Sequence, residues 1–169
     1  EGLLQPGVVD VVYVASPHAA HSEAVEGALE RGIAVLCEKP MTVDPAETSR
    51  LIDLAQARSA LLVEGWMYRF HPQIEALAGL LRDRMIGEVH QVVASFGVSC
   101  ADRLPERILS RAMGGGSILD IGGYPASSAL LVDRMLGGDG CLAHLGVASK
   151  VRTGPVSYTH LTLPTNTVV

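Results

Sequence analysis

The sequence predicts a parallel α/β sheet of the doubly wound kind, running into the start of an α+β domain. Three features carry that prediction: short apolar β-branched runs, capped helical segments between them, and a change of pattern after about residue 68. Residues 8–15 are the first run, with little polar alternation, as expected of a parallel strand covered on both faces. Ser16 and Pro17 then offer an N-cap and a first-turn proline. They open a helix over about 18–31, with Val25, Ala28 and Leu29 inward and Gly32 ending it. Residues 33–37 are the second strand. Asp44, Pro45 and Glu47 open the next helix as cap, first-turn proline and capping-box glutamate. Leu51, Ile52, Leu54 and Ala55 form its apolar face, and residues 60–64 are the third strand.

Beyond a boundary near Tyr68 the pattern differs. Residues 71–83 form an amphipathic helix on Ile74, Leu77, Leu80 and Leu81, and Gly87 leads into a long alternating strand over 88–97. Residues 99–113 are polar and arginine-rich, consistent with an exposed loop and a short helix. Gly114, Gly115, Gly116 and Ser117 precede a strongly apolar helix over 118–136, and residues 142–151 carry a further strand pattern.

Composition excludes several classes. A net charge of −5 without a basic run offers nothing to nucleic acid or an anionic membrane surface. No apolar stretch approaches the roughly 18–20 residues that span a bilayer. Cys37, Cys100 and Cys141 are odd in number, widely spaced and without a CxxC pair. They fit thiols of a reducing compartment, hence a cytoplasmic location, with any export signal lying upstream of Glu1. His18, His71 and His90 have no metal-ligand spacing, so no metal is expected and these histidines are assigned to structure.

Only two of the 13 basic residues are lysines. Lys39 stands in Glu38-Lys39-Pro40 directly after the second strand, where an open α/β sheet places ligand chemistry. Pro40 biases Lys39 away from helix. Taken alone, the tripeptide is a surface lysine in a strand-to-helix loop. Asp120 and Tyr124 are four apart on an otherwise apolar helix and share a face. A carboxylate and a phenol so placed need a partner or a pocket. Their plain reading is an aspartate favoured by the helix dipole and a tyrosine at the core edge. The three glycines allow close approach of backbone to a ligand or to another segment.

Four motifs then occur in order: Ala15-Ser16-Pro17 with His21; Glu38-Lys39-Pro40; Met67-Tyr68-Arg69-Phe70-His71-Pro72; and the triple glycine with Asp120, Tyr124 and Pro125. Together they resemble the glucose–fructose oxidoreductase / inositol dehydrogenase (Gfo/Idh/MocA) family of NAD(P)-dependent sugar and polyol oxidoreductases, over about residues 5–150. Tyr124 stands where inositol dehydrogenases carry histidine. The chain therefore resembles more the glucose–fructose oxidoreductase, aldose dehydrogenase and dihydrodiol dehydrogenase branch. The resemblance implies a Rossmann-type dinucleotide-binding domain, partial, over 1–68, and a partial α+β substrate and oligomerisation domain over 69–154. It implies NAD or NADP as cofactor, near Ser16, Pro17, His21, Glu38 and Lys39. It also implies a sugar or polyol substrate and a homo-oligomeric parent protein. Lys39 is expected to bind the reacting oxygen, Tyr124 to act as general acid/base and Asp120 to orient substrate, with Arg69 a lesser pocket-shaping candidate. Tyrosine and lysine both titrate near 10 unperturbed, so either needs help to act near neutrality, and which of Lys39 and Tyr124 moves the proton stays open.

The GxGxxG turn of a first βαβ unit, and the residue that selects NAD from NADP, are not in the sequence. The chain is expected to be an internal fragment with little activity of its own. Residues 156–165 do not resemble the family; they match the translation of a transposon-type sequencing adapter, so residues 155–169 are set aside as a non-native tail. A threonine-rich β segment is the other reading of that composition. Two functions remain: hydride transfer between NAD(P) and a CH–OH group, or a non-catalytic dinucleotide or sugar sensor on the same scaffold. Retention of Lys39, Asp120 and Tyr124 favours the enzyme.

Overall fold

The computed structural model describes residues 4–5, 7–98, 105–137, 148–152 and 158–162. Along the chain run β1 (Val11–Val14), α1 (His21–Leu29), β2 (Ala34–Glu38), α2 (Pro45–Ala57) and β3 (Leu62–Gly65). They are followed by α3 (Pro72–Arg82), α4 (Glu106–Leu109), α5 (Gly123–Met135), β4 (Ala148–Arg152) and β5 (Tyr158–Thr162). The described parts of Glu1–Trp66 and Asp102–Asp120 form one compact unit, and those of Met67–Ala101 and Ile121–Val169 a second.

In the first unit β1, β2 and β3 are parallel and adjacent in that order, with Val14 opposite Cys37 and Cys37 opposite Glu64. α1 and α2 make the two crossovers, and α1 packs on β1, on β2 and on α2. One helical layer therefore covers one face of the sheet. Val14, Val35 and Cys37 from the strands meet Val25, Ala28 and Leu29 of α1 and Leu51 and Ala55 of α2 in a single core. Burying a valine or leucine of this kind contributes about 1.5–3 kcal/mol. α2 opens as expected: Asp44 Oδ1 accepts from the Ala46 N–H at 2.8 Å, and Pro45 occupies the first turn. Gly32 closes the turn after α1 at φ +69°, a left-handed conformation that glycine adopts without a Cβ penalty.

Two details of this unit differ from expectation. Ser16 does not cap a helix. A short 3₁₀ turn at His18–Ala20 comes first, Pro17 holds its N-cap position, no side chain caps it, and α1 begins only at His21. The second difference is the opposite face of the sheet, where Val11 and Tyr13 are each 59% exposed and Leu36 is 37% exposed. A continuous apolar run looks the same whether one or both faces are covered, so periodicity alone does not decide between them.

In the second unit, a 3₁₀ turn at Met67–Phe70 leads to α3, whose N-cap is His71 with Nδ1 accepting from the Gln73 N–H at 3.2 Å. The predicted strand over 88–97 is not formed; its described residues pair with no other strand. Alternation supplies the faces of a strand, but a ladder also requires a neighbour. The apolar helix over 118–136 opens with a π turn at Ile118–Gly122, across which the two units join, and continues as α5. β4 and β5 form an antiparallel pair with Lys150 opposite His160. β4 covers the end of the strand expected over 142–151, whose residues 142–147 lie outside the described residues. So do residues 99–104 of the expected polar loop. Of the segment read as an added tail, Tyr158–Thr162 is a paired strand, while 155–157 and 163–169 lie outside the described residues.

Candidate active site

The site residues expected in the first unit gather at the carboxyl ends of its strands, where an open parallel sheet leaves a crevice. Ala15, Ser16 and Pro17 follow β1, and Glu38 and Lys39 follow β2. With His18, His21, Arg107 and Asp120 they line a cavity of about 360 Å³. Lys39 Nζ donates to the Asp120 main-chain carbonyl and lies 3.5 Å from Asp120 Oδ1. Their side chains are 14% and 19% exposed, so this ion pair is substantially removed from solvent. The two residues are 81 apart in the chain.

The corner that carries Lys39 is held from both sides. His21, fully buried, places Nδ1 2.9 Å from the Pro40 carbonyl oxygen and Nε2 2.8 Å from the Ser16 carbonyl oxygen. On the β3 side, the Met41 N–H donates to Glu64 Oε1 at 2.8 Å, and the Trp66 indole N–H donates to Glu64 Oε2 at 2.6 Å. The Lys39–Pro40 peptide bond is cis. Glu38 Oε1 accepts from the Tyr13 hydroxyl at 2.7 Å, and that hydrogen bond, followed by desolvation and the carboxylate's charge, raises the Tyr13 phenol above its ordinary value. Ser16 Oγ is buried in the cavity region and has no hydrogen-bond partner among the described residues. Cys37 has its thiol pushed up to about 12 by burial, with the charges of Glu64 and Glu38 adding to the effect. A thiol so protonated is no nucleophile.

Two residues of this cavity lay outside the sequence-based site. Arg107 Nη1 sits 3.5 Å from the same Asp120 oxygen that faces Lys39, with its own side chain 46% exposed. The sequence predicts an exposed loop and a short helix there, and only the arginine content of the segment points to a site. His18 Nδ1 lies 2.9 Å from the Gly114 carbonyl oxygen, tying the turn after β1 to the glycine run. The glycines serve close packing. A Cβ at Gly115 would stand 2.5 Å from the Ile108 carbonyl oxygen, and one at Gly114 would stand 2.5 Å from Val43 Cγ1.

Tyr124 and Arg69 belong to the second unit. The Tyr124 ring stacks on Phe96 at 4.8 Å and meets Tyr68 at 5.9 Å. Met67, Tyr68, Phe96, Tyr124, Pro125 and Ser128 are among the residues around a largely apolar cavity of about 310 Å³. Ser127 Oγ receives Arg69 Nη2 at 3.0 Å and lies 2.8 Å from the Tyr68 hydroxyl, while Arg69 Nε is buried without a partner.

Residues 1–66 match the model of the oxidoreductase family with an NAD-binding Rossmann fold, GFO_IDH_MocA. The chain is 36% identical over 131 residues to D-xylose 1-dehydrogenase (NADP(+)) 2 of Haloferax volcanii, covering 78% of this chain and 40% of that protein. It is 40% identical over 124 residues to the trans-1,2-dihydrobenzene-1,2-diol dehydrogenase of Sus scrofa, covering 73% and 36%. Among solved structures, a 3-ketoreductase from Actinomadura kijaniata in complex with NADP and TDP-benzene superposes with a TM-score of 0.69 at 31% identity, covering 95% of this chain and 52% of that one. The chain thus spans about 40% of the length of the curated relatives it matches. With its strand-end Lys39–Asp120 pair, its parallel sheet and its matched first 66 residues, the chain belongs to the Gfo/Idh/MocA oxidoreductase family.

Proposed function

We propose that this chain is part of an NAD(P)-dependent oxidoreductase that interconverts a CH–OH group of a sugar, polyol or cyclic diol with the corresponding carbonyl. The observation that carries the reading is Lys39, held against Asp120 in a cavity at the carboxyl edge of a parallel sheet. The chemistry of that cavity suits the polar end of a dinucleotide: an orphaned buried Ser16 hydroxyl, a part-buried lysine and a half-exposed arginine. When bound, the dinucleotide supplies the hydride acceptor or donor. Ser16, with the Pro17 turn, is the group that would hold it, and Glu38 and the His21 clasp shape the wall behind it.

The chain's own residues account for the proton and the charge. Two cations, Lys39 and Arg107, face one Asp120 carboxylate oxygen, so that carboxylate does not neutralise both of them. A reacting oxygen that gains negative character at Lys39 is stabilised there, and more strongly in a part-desolvated site than in water. Asp120 keeps the ammonium aimed and neutralises part of its charge while the site is open. Tyr124, against Phe96 and Tyr68, provides a phenol for general acid/base work; such catalysis typically contributes about 10²–10⁴-fold. The xylose dehydrogenase and dihydrodiol dehydrogenase relatives support the substrate class, and a homo-oligomer with the substrate domain over 69–154 belongs to the same proposal.

The test follows NAD(P)H absorbance for a full-length protein that contains this sequence, with a panel of aldoses, polyols and trans-cyclic diols. Turnover is expected, and Lys39→Met and Tyr124→Phe are each expected to lower kcat by about 10²-fold or more while NADPH fluorescence still reports binding. Intact dinucleotide binding without any turnover would replace the enzyme reading with that of a sensor.

A further inference from the structure

We propose that His21 is a positioning residue: it clasps the turn after β1 to the corner after β2 and thereby sets the Lys39 ammonium on Asp120. The inference rests on the role of Lys39 proposed above. The His21 ring is entirely buried, and its two nitrogens each face a main-chain carbonyl oxygen at a different strand end, Ser16 and Pro40; a neutral ring donates to one of them and a doubly protonated ring to both. Any buried histidine needs partners for both ring nitrogens; what distinguishes His21 is where its two partners sit. Here the bonded carbonyls flank the site: Ser16 carries the orphaned hydroxyl, and Pro40 is peptide-bonded to Lys39.

The geometry gives the clasp mechanical consequence. The Lys39 corner has two anchors outside its own backbone, His21 on the Pro40 carbonyl and the Glu64 carboxylate on the Met41 N–H. The Pro40 carbonyl and the Met41 N–H are the two ends of one planar peptide, so together these anchors fix that plane between α1 and β3. Releasing the His21 anchor removes one of the two holds on that plane and lets it pivot about the Met41 N–H, and with it the direction in which Lys39 leaves the corner. Catalytic groups tolerate displacements of only about 0.5 Å before rate is lost, so a residue that never touches the reacting atoms still sets their geometry. His18, whose ring lies 5.8 Å from that of His21, buttresses the clasp and is itself tied to the Gly114 carbonyl.

The chain has two lysines, Lys39 and Lys150, so the state of the corner can be read without any dinucleotide. An N-hydroxysuccinimide ester acylates both, and mass spectrometry gives the ratio of Lys39 to Lys150 labelling in the 169-residue chain. His21→Leu, which keeps bulk and removes both ring nitrogens, is expected to raise that ratio about tenfold, the scale of losing a buried hydrogen bond. His21→Gln, which retains one bond, is expected to give a smaller rise. In the enzyme assay both variants are expected to lower kcat with little change in KM for NADPH. A folded His21→Leu chain that melts earlier but labels Lys39 at the native ratio would overturn the inference and leave His21 a packing residue. If circular dichroism shows His21→Leu unfolded, His21→Gln decides by the same ratio, unchanged or raised. Absence of turnover in native protein sinks the proposed function without altering the ratio, so the two failures stay distinct.

Discussion

Cys37 shows how far a single buried group is removed from its ordinary chemistry. It lies at the centre of the sheet, with burial as the main cause of its raised pKa and the carboxylates of Glu64 and Glu38 as lesser ones. At pH 8 the native thiol is therefore expected to resist iodoacetamide, whereas the unfolded chain reacts; peptide mapping before and after denaturation checks this. Rapid native labelling of Cys37 would contradict its burial. The sign of the linked stability follows. The folded thiol keeps its proton up to about 12 while the unfolded one loses it near 9, so this contribution is intact below pH 9 and lost as the pH climbs towards 12. At this scale the sequence was informative about residue type and position. Lys39 at a strand end and Asp120 in an apolar helix were both legible. Their contact was not, because 81 intervening residues must fold first, and Arg107 joins them only through that fold. His21 was legible as a site residue, but the approach of its two ring nitrogens to the Ser16 and Pro40 carbonyls depends on a turn that no spacing rule encodes.

The glycine run before the π turn belongs to the scale of elements. Gly114 at φ +72° lets its segment lie against His18 and Val43, and Gly115 lies directly on the main chain of α4, where a side chain would collide with the Arg107 and Ile108 carbonyls. Gly115→Ala is expected to cost about 1–3 kcal/mol, because the carbonyls of Arg107 and Ile108 cannot move aside as a side chain can. Gly79→Ala in α3 is the control: an added Cβ there meets nothing within 4 Å, and helix propensity predicts a gain of roughly 0.5–1 kcal/mol. Thermal melts of the two variants should move in opposite directions; equal shifts would remove packing as the reason for these glycines. Helices were the most legible elements, since Asp44, Pro45 and Gly32 mark their ends by local chemistry. The predicted strand over 88–97 failed for the complementary reason. Its alternation through Val89 and Val93 describes faces, whereas a strand exists only through hydrogen bonds to a neighbour.

Over the whole molecule, the first unit buries one face of its sheet and leaves the other apolar. Val11 and Tyr13 of β1 are 59% exposed, Leu36 of β2 is 37% exposed, and among the described residues β1 has a sheet neighbour on one side only. An apolar sheet face beside an unpaired edge is a surface that favours association. The chain on its own is therefore expected to self-associate as its concentration rises, its mean mass in light scattering increasing rather than staying that of one 17.8 kDa chain. Val11→Lys places a charge on that face at a position already exposed, so the fold should hold while contact between copies weakens. Losing one valine's burial, about 1.5 kcal/mol, corresponds to about a tenfold higher concentration for the same degree of association. A native chain of constant mass at every concentration, or a Val11→Lys chain that associates as readily as the native one, would show that this face is not the surface through which copies meet.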